Sequence, residues 1–149
     1  IVMAIRSAKG SLIKLGNGAS PEVFSTLSQV RSIAGPTTKA TVQDVTTHST
    51  SGNWMEKLAT LIDPGSFSFP LNYDKADTTH AFSTGLWGKL IALTLSNYRC
   101  VLPASIGYFE AEAYVTSHQF DLPVDNVIRA NMELMITGAI TTANTAEPS

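Results

Sequence analysis

The chain has 149 residues, 44% of them hydrophobic and only 15% charged, and ten basic against twelve acidic side chains leave a net charge of −2. That length fits one domain able to bury its own core, and the charge balance excludes a uniform basic field for nucleic acid or anionic lipid. A single cysteine, Cys100, excludes a disulfide framework and any zinc site with several thiolates, and no apolar run reaches the roughly 18 residues of a membrane span.

Residues 1–5 show neither a long apolar stretch nor a small-residue cleavage site, so they do not read as a signal peptide. Met3 is a candidate native start behind Ile1 and Val2, and residues 1–9 are expected to be flexible. From there most of the chain follows the two-residue period of half-buried strands. Residues 11–15 predict an opening strand, ended by the turn Gly16-Asn17-Gly18. Residues 26–33 and 37–45 predict an antiparallel hairpin joined through Gly35-Pro36, with a bulge where Leu27, Val30 and Ile33 break the alternation. Residues 48–53 hold no apolar side chain and predict a mobile loop. Trp54, Met55, Leu58, Leu61 and Ile62 then recur at helical spacing, with Asn53 as N-cap and Pro64-Gly65 as stop, predicting a helix over 54–62.

Phe67, Phe69, Leu71 and Tyr73 alternate with Ser66, Ser68, Pro70 and Asn72 in the cleanest strand pattern of the chain. Pro70 cannot donate to a ladder, which predicts an edge strand or a bulge. A second short helix is expected from Asp77 or Thr78 through Trp87, then short strands over 90–95 and 99–102 about a Ser96-Asn97 turn. The last hairpin is long: apolar positions are odd from Phe109 to Val115 and even at Phe120 and Leu122, which requires a bulge near residues 117–119. After a turn at 123–126, Ile128, Ala130, Met132, Leu134 and Ile136 alternate on the return strand, and the polar tail from 141 to 149 is expected to fray. About seven strands and two short helices, without repeat or linker, predict a mainly β single domain over 1–149, a β-sandwich or barrel.

Catalytic constellations are missing. Gly16-Asn17-Gly18 lacks the lysine of a phosphate-binding loop and leads into Pro21, and no nucleophile elbow occurs. His48, His80 and His118 are scattered, with no pair at helical metal-ligand spacing. Cys100 reads as a core thiol. Glu110 and Glu112 share a strand face, which reads as a solvated face rather than an acid–base pair. Asp74 and Asp77 lack the glycine and distal glutamate of a calcium loop, so a capped helix entry fits them better. Trp54 and Trp87 read as anchors of short helices onto the sheet. No catalytic, cofactor or metal residue set emerges; an enzyme is not expected.

Three segments carry a resemblance: GSLIKLGNGASPEVFSTLSQVRSIAGP, VQDVTTHSTSGNWMEKLATLIDPGSFSFPLNYD and AYVTSHQFDLPVDNVIRANMELMITGAIT. Together they resemble the tail tube proteins of long-tailed double-stranded DNA bacteriophages, in the phage lambda-like branch, from residue 10 to 141 except around 90–109. The resemblance implies a tail-tube fold and a structural virion protein, made in the host cytoplasm and located in the phage tail. It implies hexameric rings stacked into a hollow tube for genome delivery, with no cofactor and no membrane. Its implied partners are further copies, a tape-measure protein, tail-tip and terminator proteins, and DNA that passes without specific binding. It also makes Thr46, Thr47, His48, Ser49, Thr50, Ser51, Gly52 and Asn53 the candidate loop that orders between stacked rings.

The low charged fraction and the sparsely charged edge candidates 66–73 and 37–45 suit strands that pair with another subunit. A conduit for DNA calls for a neutral or acidic lining. Asp44, Glu110, Glu112 and Glu133 are the candidate lumen-facing acids, while Lys39 and Arg129 weigh against their faces. Competing readings are a head–tail connector or decoration protein, a secretion-type tube protein and a carbohydrate-binding sandwich. The last is disfavoured because Phe67, Phe69 and Tyr73 alternate as core residues do.

Overall fold

The computed structural model describes residues 7–74 and 76–146; the expectations for residues 1–6 and 147–149 lie outside the described residues. Among the described residues, eight strands form two sheets, accompanied by one α-helix. The larger is antiparallel throughout, built from β1 (Leu12–Gly16), β2 (Phe24–Thr26), β5 (Ser66–Asn72), β6 (Ser96–Val101), β7 (Tyr108–Asp121) and β8 (Arg129–Ala143) in the order β2-β1-β6-β7-β8-β5. Period-2 patterning gives it two unlike faces. Phe67, Phe69, Leu71, Ala113, Leu134 and Ile136 are buried on one, while Ser68, Glu112, Asn131 and Glu133 lie exposed on the other. Helix α1 (Leu86–Ala92) lies against β7 and seats Leu86 in the core on the apolar face.

The opening strand, its turn and the strand over 66–72 form as the alternation requires. β5 is a terminal strand of the sheet, and Pro70 sits on its outer edge. That edge is not free, however. Residues 29–37 run alongside it: Arg31 N–H donates to Pro70 O at 2.9 Å, Ala34 and Ser68 exchange two bonds of 2.9 Å, and Asn72 N–H reaches Gln29 O at 2.9 Å. At Gly35 a Cβ would stand 2.8 Å from the Phe67 Cα, so only glycine permits this approach.

The hairpin expected from 26–33 and 37–45 does not form. β2 pairs with β1, residues 29–37 cover β5, and β3 (Lys39–Asp44) pairs instead with β4 (Lys57–Asp63). Strand β4 also replaces the helix expected over 54–62. A register break sets Thr60 and Leu61 against the single residue Thr41, so the apolar positions lose their strict alternation and mimic helical spacing. The two strands make a separate arm in which every residue is exposed.

The second helix begins later than expected, at Leu86 after Gly85, and takes residues 90–92 of the strand expected over 90–95. Leu93 closes it in the left-handed conformation (φ 54°), and Ser96 and Asn97 open β6 rather than turning. In the β7–β8 hairpin the expected bulge is present, displaced to Thr116: Val115 faces Leu134 and Ser117 faces Glu133. A second irregularity inserts Gly138, Ala139 and Ile140 opposite Ala111. The tail begins later than expected, because Thr141 and Thr142 still pair with Glu110 and Phe109.

Candidate functional site

Among the described residues, α1 and residues 27–34 pack over the apolar face of the large sheet, whereas much of the polar face is exposed, with Glu22 of the 17–22 loop reaching Asn97 at its β1–β6 end. Glu110, Glu112 and Glu133 all stand on this polar face; Asp44 does not, lying on the arm instead. Register explains the grouping. Lys14, Arg99 and Glu110 are successive cross-strand partners on β1, β6 and β7, and Glu133 faces Ser117 and Ser68. The strand-borne charge on the face is Lys14, Arg99 and Arg129 against Glu110, Glu112, Glu133 and Asp121, which stands opposite Arg129, a formal −1. Exposure is not balanced: the three cations are partly buried, while Glu112 and Glu133 are exposed.

Arg99 is the clearest case. Its guanidinium lies 4.0 Å from the centroid of the Phe24 ring and 5.2 Å from that of Tyr108, and Nη2 stands 3.1 Å from Glu110 Oε2. Nε donates to the same oxygen at 3.3 Å, and the side chain is 11% exposed. Sequence reasoning missed this cage because it took Ser96-Asn97 as a turn, which hid the β6–β7 register that sets Arg99 against Glu110.

The arm is the second feature. Its tip carries the candidate loop of residues 46–53, closed at the base where Val45 N–H donates to Glu56 O at 2.9 Å and Glu56 N–H to Thr46 Oγ1 at 2.8 Å. The hydroxyl and N–H of Thr46 hold the Asp44 carboxyl below its ordinary pKa. Trp54 anchors no helix; it is 83% exposed beside this loop, and Leu61 and Ile62 are 73% and 74% exposed along the arm. Nothing among the described residues buries these apolar side chains.

The third feature lies on the apolar side. His80 and His118, distant in sequence, join Tyr73, Phe82, Trp87 and Phe120 in one aromatic cluster. Trp87 packs edge-on to His118 and so anchors α1 as expected. Burial, aided by nearby His80, pushes the His118 pKa down. His80 is buried: it accepts the Asp74 N–H on Nδ1 at 2.9 Å, and its Nε2 lies 3.0 Å from Ser28 O, where it donates. Ser28, His80 and Asp77 thus meet, the residue types of a hydrolytic triad. Their wiring is wrong for one, since the Ser28 hydroxyl donates to Asp77 and His80 reaches the Ser28 carbonyl, leaving no nucleophile–base contact. His48 sits apart, on the arm loop. Cys100 is buried and desolvation pushes its thiol up to about 11, consistent with a core role. The described residues contain no group of three or more His, Cys, Asp or Glu placed to hold a metal, and no helix among them is long and apolar enough to cross a membrane.

A mainly β, sandwich-like sheet left unclosed, with one helix over its apolar face and a projecting arm, defines a tail-tube fold. No family model and no curated protein matches the chain. Among solved structures, it is similar to a chain of the virion of a native gene transfer agent particle (TM-score 0.72, 19% identity, 93% of this chain and 99% of that one). It is likewise similar to a chain of the sheath–tube complex of the extracellular contractile injection system PVC in its extended state (0.71, 10%, covering 97% and 95%). The SPP1 tail tube also shares the fold (0.67, 8%, covering 92% and 78%).

Proposed function

We propose that this chain is the building block of a hollow tail tube: copies form hexameric rings, and rings stack into the tube of a virion tail through which the genome is delivered. The observation that carries the reading is a fold shared over nearly the whole chain with chains of phage-like tails and injection-system tubes. One such neighbour belongs to a tail of a gene transfer agent solved with C6 symmetry. The three segments quoted above favour the long-tailed, lambda-like branch. The role is structural and involves no catalysis. In this reading the polar face lines the lumen, because α1 and residues 27–34 occupy the other side, and the lining acids are Glu110, Glu112 and Glu133. Asp44, on the arm, lies outside that lining in this reading. The arm and its 46–53 loop reach the adjoining ring, where the exposed Trp54, Leu61 and Ile62 gain cover.

Concentrated protein examined by sedimentation and negative-stain microscopy is expected to yield rings and tubes. A compact monomer at every concentration, without tubes, would overturn the reading. One observation favours a second reading, a tube inside a contractile sheath. Phe82, Ile91 and Leu93 are exposed on the helix side, which becomes the outer wall, and a sheath would cover them. Particles imaged from producing cells separate the two, as bare or as sheathed tubes.

A further inference from the structure

A lumen that passes DNA must not hold phosphate, yet the middle of the polar face carries an arginine, the side chain best shaped to grip one. The arginine is not available. The Arg99 guanidinium lies over the Phe24 ring and near Tyr108, and Glu110 Oε2 accepts from both its Nε and its Nη2, at 3.3 and 3.1 Å. A carboxylate oxygen held by two guanidinium N–H groups occupies the position that a phosphate oxygen would take. We propose that Glu110 is a built-in phosphate mimic that blanks Arg99, so that this central arginine offers a DNA backbone no grip beside the exposed acids Glu112, Glu133 and Asp121. The inference rests on the reading of this face as the lumen wall and assigns Glu110 and Glu112 different tasks: the first silences a cation, the second repels.

The two tasks are separable at equal net charge. Dispersed subunits, in which the face is accessible, are titrated with a short random-sequence DNA duplex at several salt concentrations and binding is followed by fluorescence anisotropy. Glu110→Gln is expected to bind about tenfold tighter than the unaltered protein at low salt, with the slope of log K against log salt steeper by about 0.9, one added phosphate contact. Glu112→Gln, with the same change in formal charge, is expected to shift affinity by less than about threefold and to leave the slope unchanged. The double variant R99Q/E110Q is expected to bind as the unaltered protein does. Equal effects of E110Q and E112Q, or a double variant that still binds tightly, would overturn the proposal. If circular dichroism shows E110Q unfolded, R99K serves instead: lysine keeps the charge but cannot lie flat between the rings and the carboxylate, so it must bind DNA more tightly, and unchanged binding would refute the masking. Microscopy of the unaltered protein is read separately. Tubes together with an inert E110Q overturn the masking alone; no tubes overturn the lumen reading.

Discussion

Replacing Trp54 by alanine separates assembly from folding. The side chain is 83% exposed on an arm whose residues are all exposed, so its loss uncovers almost nothing inside the subunit. Substitutions of that kind change folding stability by about 0.5 kcal/mol or less. If ring stacking buries the indole, truncation costs the assembled state what a buried aromatic costs, about 3–5 kcal/mol at full burial. Taking about 3 kcal/mol for partial cover, and 1.4 kcal/mol per tenfold, the critical concentration for tube formation should rise by about a hundredfold. Phe69→Ala is the opposite control. Phe69 is 1% exposed, on the apolar face of β5, so this change should remove about 3–5 kcal/mol from folding itself. Urea unfolding of the dispersed subunit and pelleting of tubes across a concentration series measure the two quantities. A Trp54→Ala subunit destabilised by more than about 1 kcal/mol, beyond the range of exposed sites, would show that the residue serves the fold. An unchanged critical concentration would show that the tip contacts nothing.

Deleting residues 49–52 should leave the unfolding transition of the subunit in place while impairing tube growth, because the Thr46–Glu56 bonds close the arm below the deleted turn; loss of the folded subunit would refute this. Asp77 supplies a pH test. Desolvation would raise its pKa, but hydrogen bonds from Ser28 and Thr79 outweigh it and hold the value below 3.8. A depressed folded pKa contributes stability that is present above the ordinary value and lost as pH falls through the folded one. The Tm gap between the unaltered protein and Asp77→Asn should therefore be full at neutral pH and shrink below about pH 4; a gap that is constant with pH contradicts the assignment. Cys100, pushed from 9.0 up to about 11 and buried, should react with an aromatic disulfide at pH 8 about a hundredfold more slowly in the folded protein than in urea, and equal rates would mean that the site opens readily.

Where one strand face is buried within the chain, the sequence determined the outcome. Phe67, Phe69 and Leu71, and Ala130 through Ile136, alternate because one side meets the core and the other water, and the parity change between Val115 and Phe120 demanded the extra residue found at Thr116. Arm and helix were not determined in this way. Apolar residues of β4 face no core in this chain, so no buried face imposes strict alternation on them, and a register break at Thr60 and Leu61 lent them a helical rhythm. Over 86–95 the same kind of ambiguity ran the other way, and Gly85 and the left-handed Leu93, not the apolar run, set where the helix starts and stops. Only the tertiary structure decided which charges act together. Strand order and register are long-range facts, fixed by which edges pair, so the sequence named Glu110, Glu112, Glu133 and Asp44 alike. Pairing of β6 with β7 set Glu110 against Arg99, and pairing of β3 with β4 carried Asp44 away to the arm.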